Sequence, residues 1–296
     1  MGIALALASM VLFATNIFIV RSAMQRLAID PGFIVLMTVN TLLAALILLA
    51  SLTWRDAPVT LEWRALGFFA LSGVFGIFIA RRLLLETVRT LGPSRASVAH
   101  TATPVFTLAG AWALAGERLG LFELGIIVIV IAGLWLAQSS QTHKTAASMA
   151  PLGLQAIVMA TLPAIGFGVG NVFRGLGMHI SHDAILATIV GSATALACQV
   201  LSQRRLLAIL GTLRNADRRG LALYAASGVA TMFGSMTGNA AMNYLEISIA
   251  MLITYTTPIV VFPVSIFVLK NAEALTLRAL IGTLIVLCGV AVIAFR

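Results

Sequence analysis

The chain has 296 residues, of which 60% are hydrophobic and only 10% charged, with a formal net charge of +9 and a mean hydropathy of +1.04. A soluble domain carries about 25% charged residues, so composition excludes a water-soluble globule and points to a surface that mostly meets lipid. Nucleic acid is not needed to explain the positive charge, because the basic residues sit at the ends of apolar runs, where they meet lipid phosphates and fix orientation.

Ten apolar runs are long enough for a bilayer-crossing helix, which needs about 20 residues. The first, 2–20, lacks a cationic start and exceeds the 7–15 apolar residues of a cleavable signal. It therefore reads as a true first span, carrying Ser9 and Asn16. The second is 33–53 and the third 65–85, with Arg81 and Arg82 at its end. Arg82, Glu86 and Arg89 share a helix face, either as an interfacial charge pair with snorkelling arginines or as a vestibule for a charged substrate. The fourth, 96–115, places His100, Thr103 and Thr107 on one stripe beside Pro104. His100 reads either as a hydrogen-bonded structural histidine or as a proton-linked switch. The fifth run is 121–138, and a polar linker, 139–150, follows it.

The sixth run, 152–172, contains Asn171, and the seventh, 184–202, contains Thr188, Ser192 and Gln199. The eighth, 220–242, sets Thr231, Ser235, Asn239 and then Asn243 at successive fourth positions. The ninth, 247–269, presents Thr254, Tyr255 and Thr257 before Pro258; the tenth is 276–295. Threonine and serine in such runs either bond their own helix or line a wet cavity. Asparagines have more hydrogen-bonding groups to satisfy, which makes Asn16, Asn171, Asn239 and Asn243 the stronger cavity candidates. Each proline removes a backbone donor and frees the carbonyl four residues earlier, that of His100 or Thr254. Runs five and ten lack polar stripes and read as scaffold.

The runs repeat. Pro104 and Pro258 each follow a polar cluster and differ by 154 (258 − 104). Asn16 and Asn171 differ by 155, Asp30 and Asp183 by 153, Glu117 and Glu273 by 156, and Gly133 and Gly289 by 156. Near-constant offsets argue for an internal duplication. Because each copy holds five spans, an odd number, the second enters the membrane from the opposite side. The expectation is an all-α polytopic membrane protein, with 1–138 as the first five-helix unit and 151–296 as the second. Loop charges bear on orientation: Arg55, Arg64, Arg118, Arg174 and Arg296 lie on the side of the termini, five against twelve on the other. The positive-inside rule then puts both termini outside.

No phosphate-binding loop is present, so ATP is not a direct drive. The four histidines have no metal-ligand spacing, and Cys198 and Cys288 lie inside apolar runs, so neither metal nor cofactor is expected. The function that fits is a secondary transporter with a central polar site. A membrane-embedded enzyme acting on a lipid is the other reading. It would need converging catalytic groups, yet no paired carboxylates occur within the spans.

Ser97 through Pro104, then Gly116, Glu117, Arg118 and Leu119, then Gly125 and Gly133, resemble the EamA-type transporters of the drug/metabolite transporter superfamily. The second copy carries Ala250 through Pro258, Glu273, Ala274, Leu275, Gly282 and Gly289, with Ala272 where the first has Gly116. The resemblance implies a basket of ten helices around a central cavity, with spans five and ten outside. It also implies a carrier that moves small metabolites, often exporting amino acids, or handles drugs and nucleotide sugars. The expectation is thus an exporter of small metabolites such as amino acids or drug-like compounds, multi-pass in the cytoplasmic (inner) membrane, with His100 as the candidate for proton coupling. The resemblance implies cytoplasmic termini, opposite to the charge count. Catalytic residues are not expected.

Overall fold

The computed structural model describes residues 1–53, 61–91, 102–142, 154–203, 206–257, 260–261, 264 and 277–294. His100, Pro258, Glu273 and most of the 139–150 linker lie outside the described residues, as does the side chain of Arg89.

Regular structure among the described residues is helical. In the first half, α1 is Gly2–Met24 and α2 is Ile29–Ser51. A continuous rod follows, made of α3 (Trp63–Ser72), a π-helical stretch (Gly73–Ile79) and α4 (Ala80–Leu91). Next come α5 (Thr103–Gly110), which passes into a second π-helical stretch (Ala111–Ala115), and α6 (Leu121–Thr142). The second half has α7 (Leu154–Ser181), α8 (Ala184–Ser202), α9 (Leu206–Arg214), α10 (Arg218–Ala241), α11 (Ile247–Tyr255) and α12 (Leu277–Ala294). Among the described residues, Gly2–Met24, Ile29–Ser51, Trp63–Leu84 and Ala184–Ser202 are long and apolar enough to cross a bilayer by length and composition.

Local chemistry sets several helix ends. The Asp183 carboxylate accepts from the Ile185 and Leu186 amides at 3.0 Å each, capping α8. Asp30 lies in the first turn of α2, where the helix dipole favours an anion. These are the two acids that the repeat pairs. Pro104 sits in the first turn of α5, whose N-cap is Ala102, so its missing N–H coincides with an orphan position. The π stretch after α5 ends at Gly116, whose φ of 71° is a left-handed value that suits glycine. Boundaries differ from expectation at several points: the rod runs six residues past 85 to Leu91, and α9 occupies the expected loop between the seventh and eighth spans. α7 continues nine residues past 172 to Ser181, so Arg174 is helical rather than a loop charge, and the terminal side of the charge count falls from five to four.

Packing has a pattern. α1 runs antiparallel to α10: Gly2 meets Tyr244, Ser9 meets Gly238, and Gly220 meets Leu27. The α3–α4 rod runs antiparallel to α7 in the same way, with Phe69 on Gly177, Gly76 on Gly170 and Ala80 on Gly166. α2 packs on α8, α5 on α11 and α6 on α12; α10 touches α2 as α3 touches α8; α1 touches α11 as α5 touches α7. Exchanging α1 for α7, α2 for α8, the α3–α4 rod for α10, α5 for α11 and α6 for α12 leaves this set of neighbours unchanged. Many lipid-directed side chains on α2 and α6 are exposed, among them Leu42, Leu46, Leu49, Val128, Ile129 and Trp135. Burial is concentrated at the helix crossings.

The two halves are also joined by a carboxylate. Glu117, 5% exposed, accepts from the Ile247 amide, from the Ser248 amide at 3.3 Å and from the Ser248 hydroxyl at 2.6 Å. An acid from the first half thus caps the N-terminus of α11 in the second.

Candidate functional site

A cavity of about 500 Å³ lies where α1, α2, the α3–α4 rod, α5, α7, α8, α10 and α11 meet. Its volume falls within the range of small-molecule sites, about 300–1,000 Å³.

Helix backbones fix the polarity of its walls. The hydroxyl protons of Thr107, Thr188 and Thr254 are spent on carbonyls of their own helices: Thr103 O at 3.1 Å, Ala184 O at 2.8 Å and Ala250 O at 2.9 Å. The oxygens of Thr107 and Thr188 are left as acceptors, and asparagine amides donate to them. Asn171 Nδ2 donates to Thr107 Oγ1 at 3.1 Å and to the Tyr255 hydroxyl at 3.4 Å. Asn239 Nδ2 donates to Thr188 Oγ1 at 3.0 Å. With Nδ2 so committed, Asn239 Oδ1 is buried without a hydrogen-bond partner. Asn40 Oδ1, on α2, is likewise buried and unpartnered. Asn16 Oδ1 accepts from the Ser227 hydroxyl at 2.6 Å, tying α1 to α10. The Thr41 hydroxyl donates to Ser192 Oγ at 2.9 Å, tying α2 to α8.

Of the residues singled out from sequence, Asn16, Pro104, Asn171, Ser235, Asn239, Thr254, Tyr255 and Thr257 line this cavity. Thr103 is fully buried, its carbonyl accepts from Thr107, and it is not among the lining residues. Arg82 is exposed, its guanidinium 5.4 Å from the Phe78 ring centroid, and it is not among the lining residues, nor is Glu86. The cavity-facing arginine of that pair is Arg81. The π stretch Gly73–Ile79 holds extra residues per turn, so the face that an uninterrupted α-helix assigns to the rod's end is rotated. Asn243 is exposed at the end of α10. There it donates to the His182 carbonyl at 2.9 Å and lies 3.4 Å from His182 Nδ1, in a separate surface pocket with His179 and Glu246. The last turn of α10 ends at Ala241, which takes Asn243 off the stripe that Asn239 continues.

Sequence reasoning missed Arg81, Asn40 and Arg174 as lining residues. Arg174 carries a signal, a lone cation two residues past the end of the glycine-rich run 152–172, and the helix continues through it to Ser181. Among the described residues no three histidine, cysteine or acidic side chains converge in a way that could hold a metal.

A helical membrane protein whose halves interlock around a polar, mid-bundle cavity is the class these features define. The chain belongs to the EamA-like transporter family, which matches over residues 1–138 and again over 154–295. Membership makes it a membrane transporter of the drug/metabolite transporter superfamily, a family of carriers rather than of enzymes. No curated protein matches the sequence. A solved structure titled "Crystal structure of protein" is similar in fold, with a TM-score of 0.73 and 14% identity, covering 99% of this chain and 96% of that one.

Proposed function

We propose that the chain is a secondary active transporter of ten spans that exports small metabolites across the cytoplasmic membrane. Two inverted five-helix units, 1–138 and 151–296, alternate the access of one central site. The observation that carries this reading is the cavity itself, built from both units and lined by polar groups whose hydrogen bonds cross between them, Asn171 to Thr107, Ser227 to Asn16 and Thr41 to Ser192 among the contacts around it. The antiparallel packing of α1 on α10 and of the rod on α7 supports inversion, because the first and third spans of one unit run the same way. A proton is the proposed coupling ion, with His100 as its carrier.

Purified protein in proteoliposomes, challenged with labelled amino acids and drug-like compounds, tests the proposal. Uptake into or efflux from the vesicles is expected, with the Asn16, Asn171 and Thr254 triple alanine variant transporting at least about tenfold less, the loss of one to two net hydrogen bonds. Full transport by that variant refutes the placement of the site. Flux that ignores an imposed pH gradient removes the proton.

A further inference from the structure

We propose that the cavity takes a small organic monoanion, a carboxylate on a partly apolar body, and rejects amphiphilic cations. The inference rests on the transporter reading above and names the substrate class of that site.

Arg81 and Arg174 both line the cavity, and among the described residues no aspartate or glutamate does. Neither arginine has a carboxylate within ion-pair distance among the described residues, where the ion pair is Arg26 with Asp217 at the surface. Arg81 rests instead on an aromatic face, its guanidinium carbon 4.6 Å from the Phe33 ring centroid. Charges left uncompensated inside a membrane bundle are costly and mark the pathways of ions and substrates. An incoming anion offsets that cost, and a cation adds to it.

The arrangement also sets the charge number. Gly76 and Gly170 touch where the rod crosses α7. Arg81 lies five residues from that crossing on one helix, and Arg174 lies four residues from it on the antiparallel one, toward the other membrane face. At 1.5 Å per residue their Cα positions are offset by roughly 14 Å along the bundle. The two arginines thus enter the cavity at separate levels, and the planar fork of each matches a single carboxylate.

The rest of the lining offers neutral polar side chains, Ser235 and Thr257 among them, to a hydroxyl on the ligand. Phe13, Ile77, Phe167 and Met251 supply apolar surface for the remainder of the ligand.

A matched set with one carbon skeleton separates the possibilities: 3-phenylpropionate, 3-phenylpropionamide and 3-phenylpropylamine, with phenyllactate as the hydroxylated member. Thermal shift on the detergent-solubilised full chain reads binding, and counterflow in proteoliposomes reads transport. The carboxylates are expected to stabilise the protein, phenyllactate most, and the amine not to compete with them. Arg174→Gln is expected to weaken carboxylate binding at least about tenfold, the loss of one charge-assisted hydrogen bond, with Arg174→Lys restoring it only in part. The wild-type comparison of carboxylate with amine needs no variant to fold. Preference for the amine, or no binding by any carboxylate, overturns the inference. Counterflow of the amine overturns it while leaving the transporter reading intact; carboxylate binding without counterflow supports the inference and removes the transporter reading.

Discussion

At Asn171 one amide group serves two neighbours on different helices, Thr107 on α5 and Tyr255 on α11. The threonine hydroxyl is already committed to its own backbone, so the two readings of such residues, backbone bonding and cavity lining, are not alternatives here; the first creates the acceptor that the second uses. Asn171→Ala is expected to lower transport about tenfold, since each lost bond is worth about 0.5–1.5 kcal/mol net. Tyr255→Phe, which removes the longer bond and keeps the one to Thr107, is expected to cost less. Initial rates with matched protein levels check the order. Asn16, Asn171 and Asn239 could be read from sequence because an amide in an apolar run has few alternatives to a polar cavity. Arg81 could not, because the choice between it and Arg82 depends on the π-helical turn that precedes them.

Among elements, α11 depends most on a distant residue. Its N-terminal amides are satisfied by Glu117, 130 positions away in sequence, and Glu117→Ala leaves those donors buried and unpaired. The variant is expected to lose about 1–3 kcal/mol of stability, visible as a lower midpoint in detergent melts, with Glu117→Gln losing less. Beside this cap, burial and then the Glu117 charge raise the Glu246 carboxyl above its ordinary value. A raised value means that the protonated form favours the folded state. That contribution is complete below the ordinary carboxylate range and declines as pH rises through the elevated value. Melts as a function of pH are expected to show the decline in the wild type, and Glu246→Gln to flatten it. The rod and α7 depend on a different device. A Cβ on Gly170 falls 2.3 Å from the Gly76 Cα, against backbone that cannot yield. Gly170→Ala is expected to cost about 1–3 kcal/mol by overpacking, and to impair flux further if the two helices slide during transport.

For the whole molecule, the decisive relation is between halves. Thr41 and Ser192 hold α2 against α8 with oxygens 2.9 Å apart, close enough for a disulfide once both are cysteine. In a background with Cys198 and Cys288 replaced by serine, the Thr41→Cys, Ser192→Cys pair is expected to stop transport on oxidation and recover it on reduction. Unchanged flux in the oxidised protein argues against relative movement of the halves at this contact. The sequence by itself determined that the chain lives in a bilayer, that it repeats, and that its asparagines and threonines cluster in particular spans. Hydropathy, offset and spacing are properties of the chain, and an apolar run of sufficient length has a single favourable environment. Only the tertiary structure decided which acid caps α11, which arginine of two neighbours faces inward, and where α7 ends. Those outcomes depend on groups brought together from positions far apart in the chain, and on a π-helical stretch that rotates the helix face beyond it.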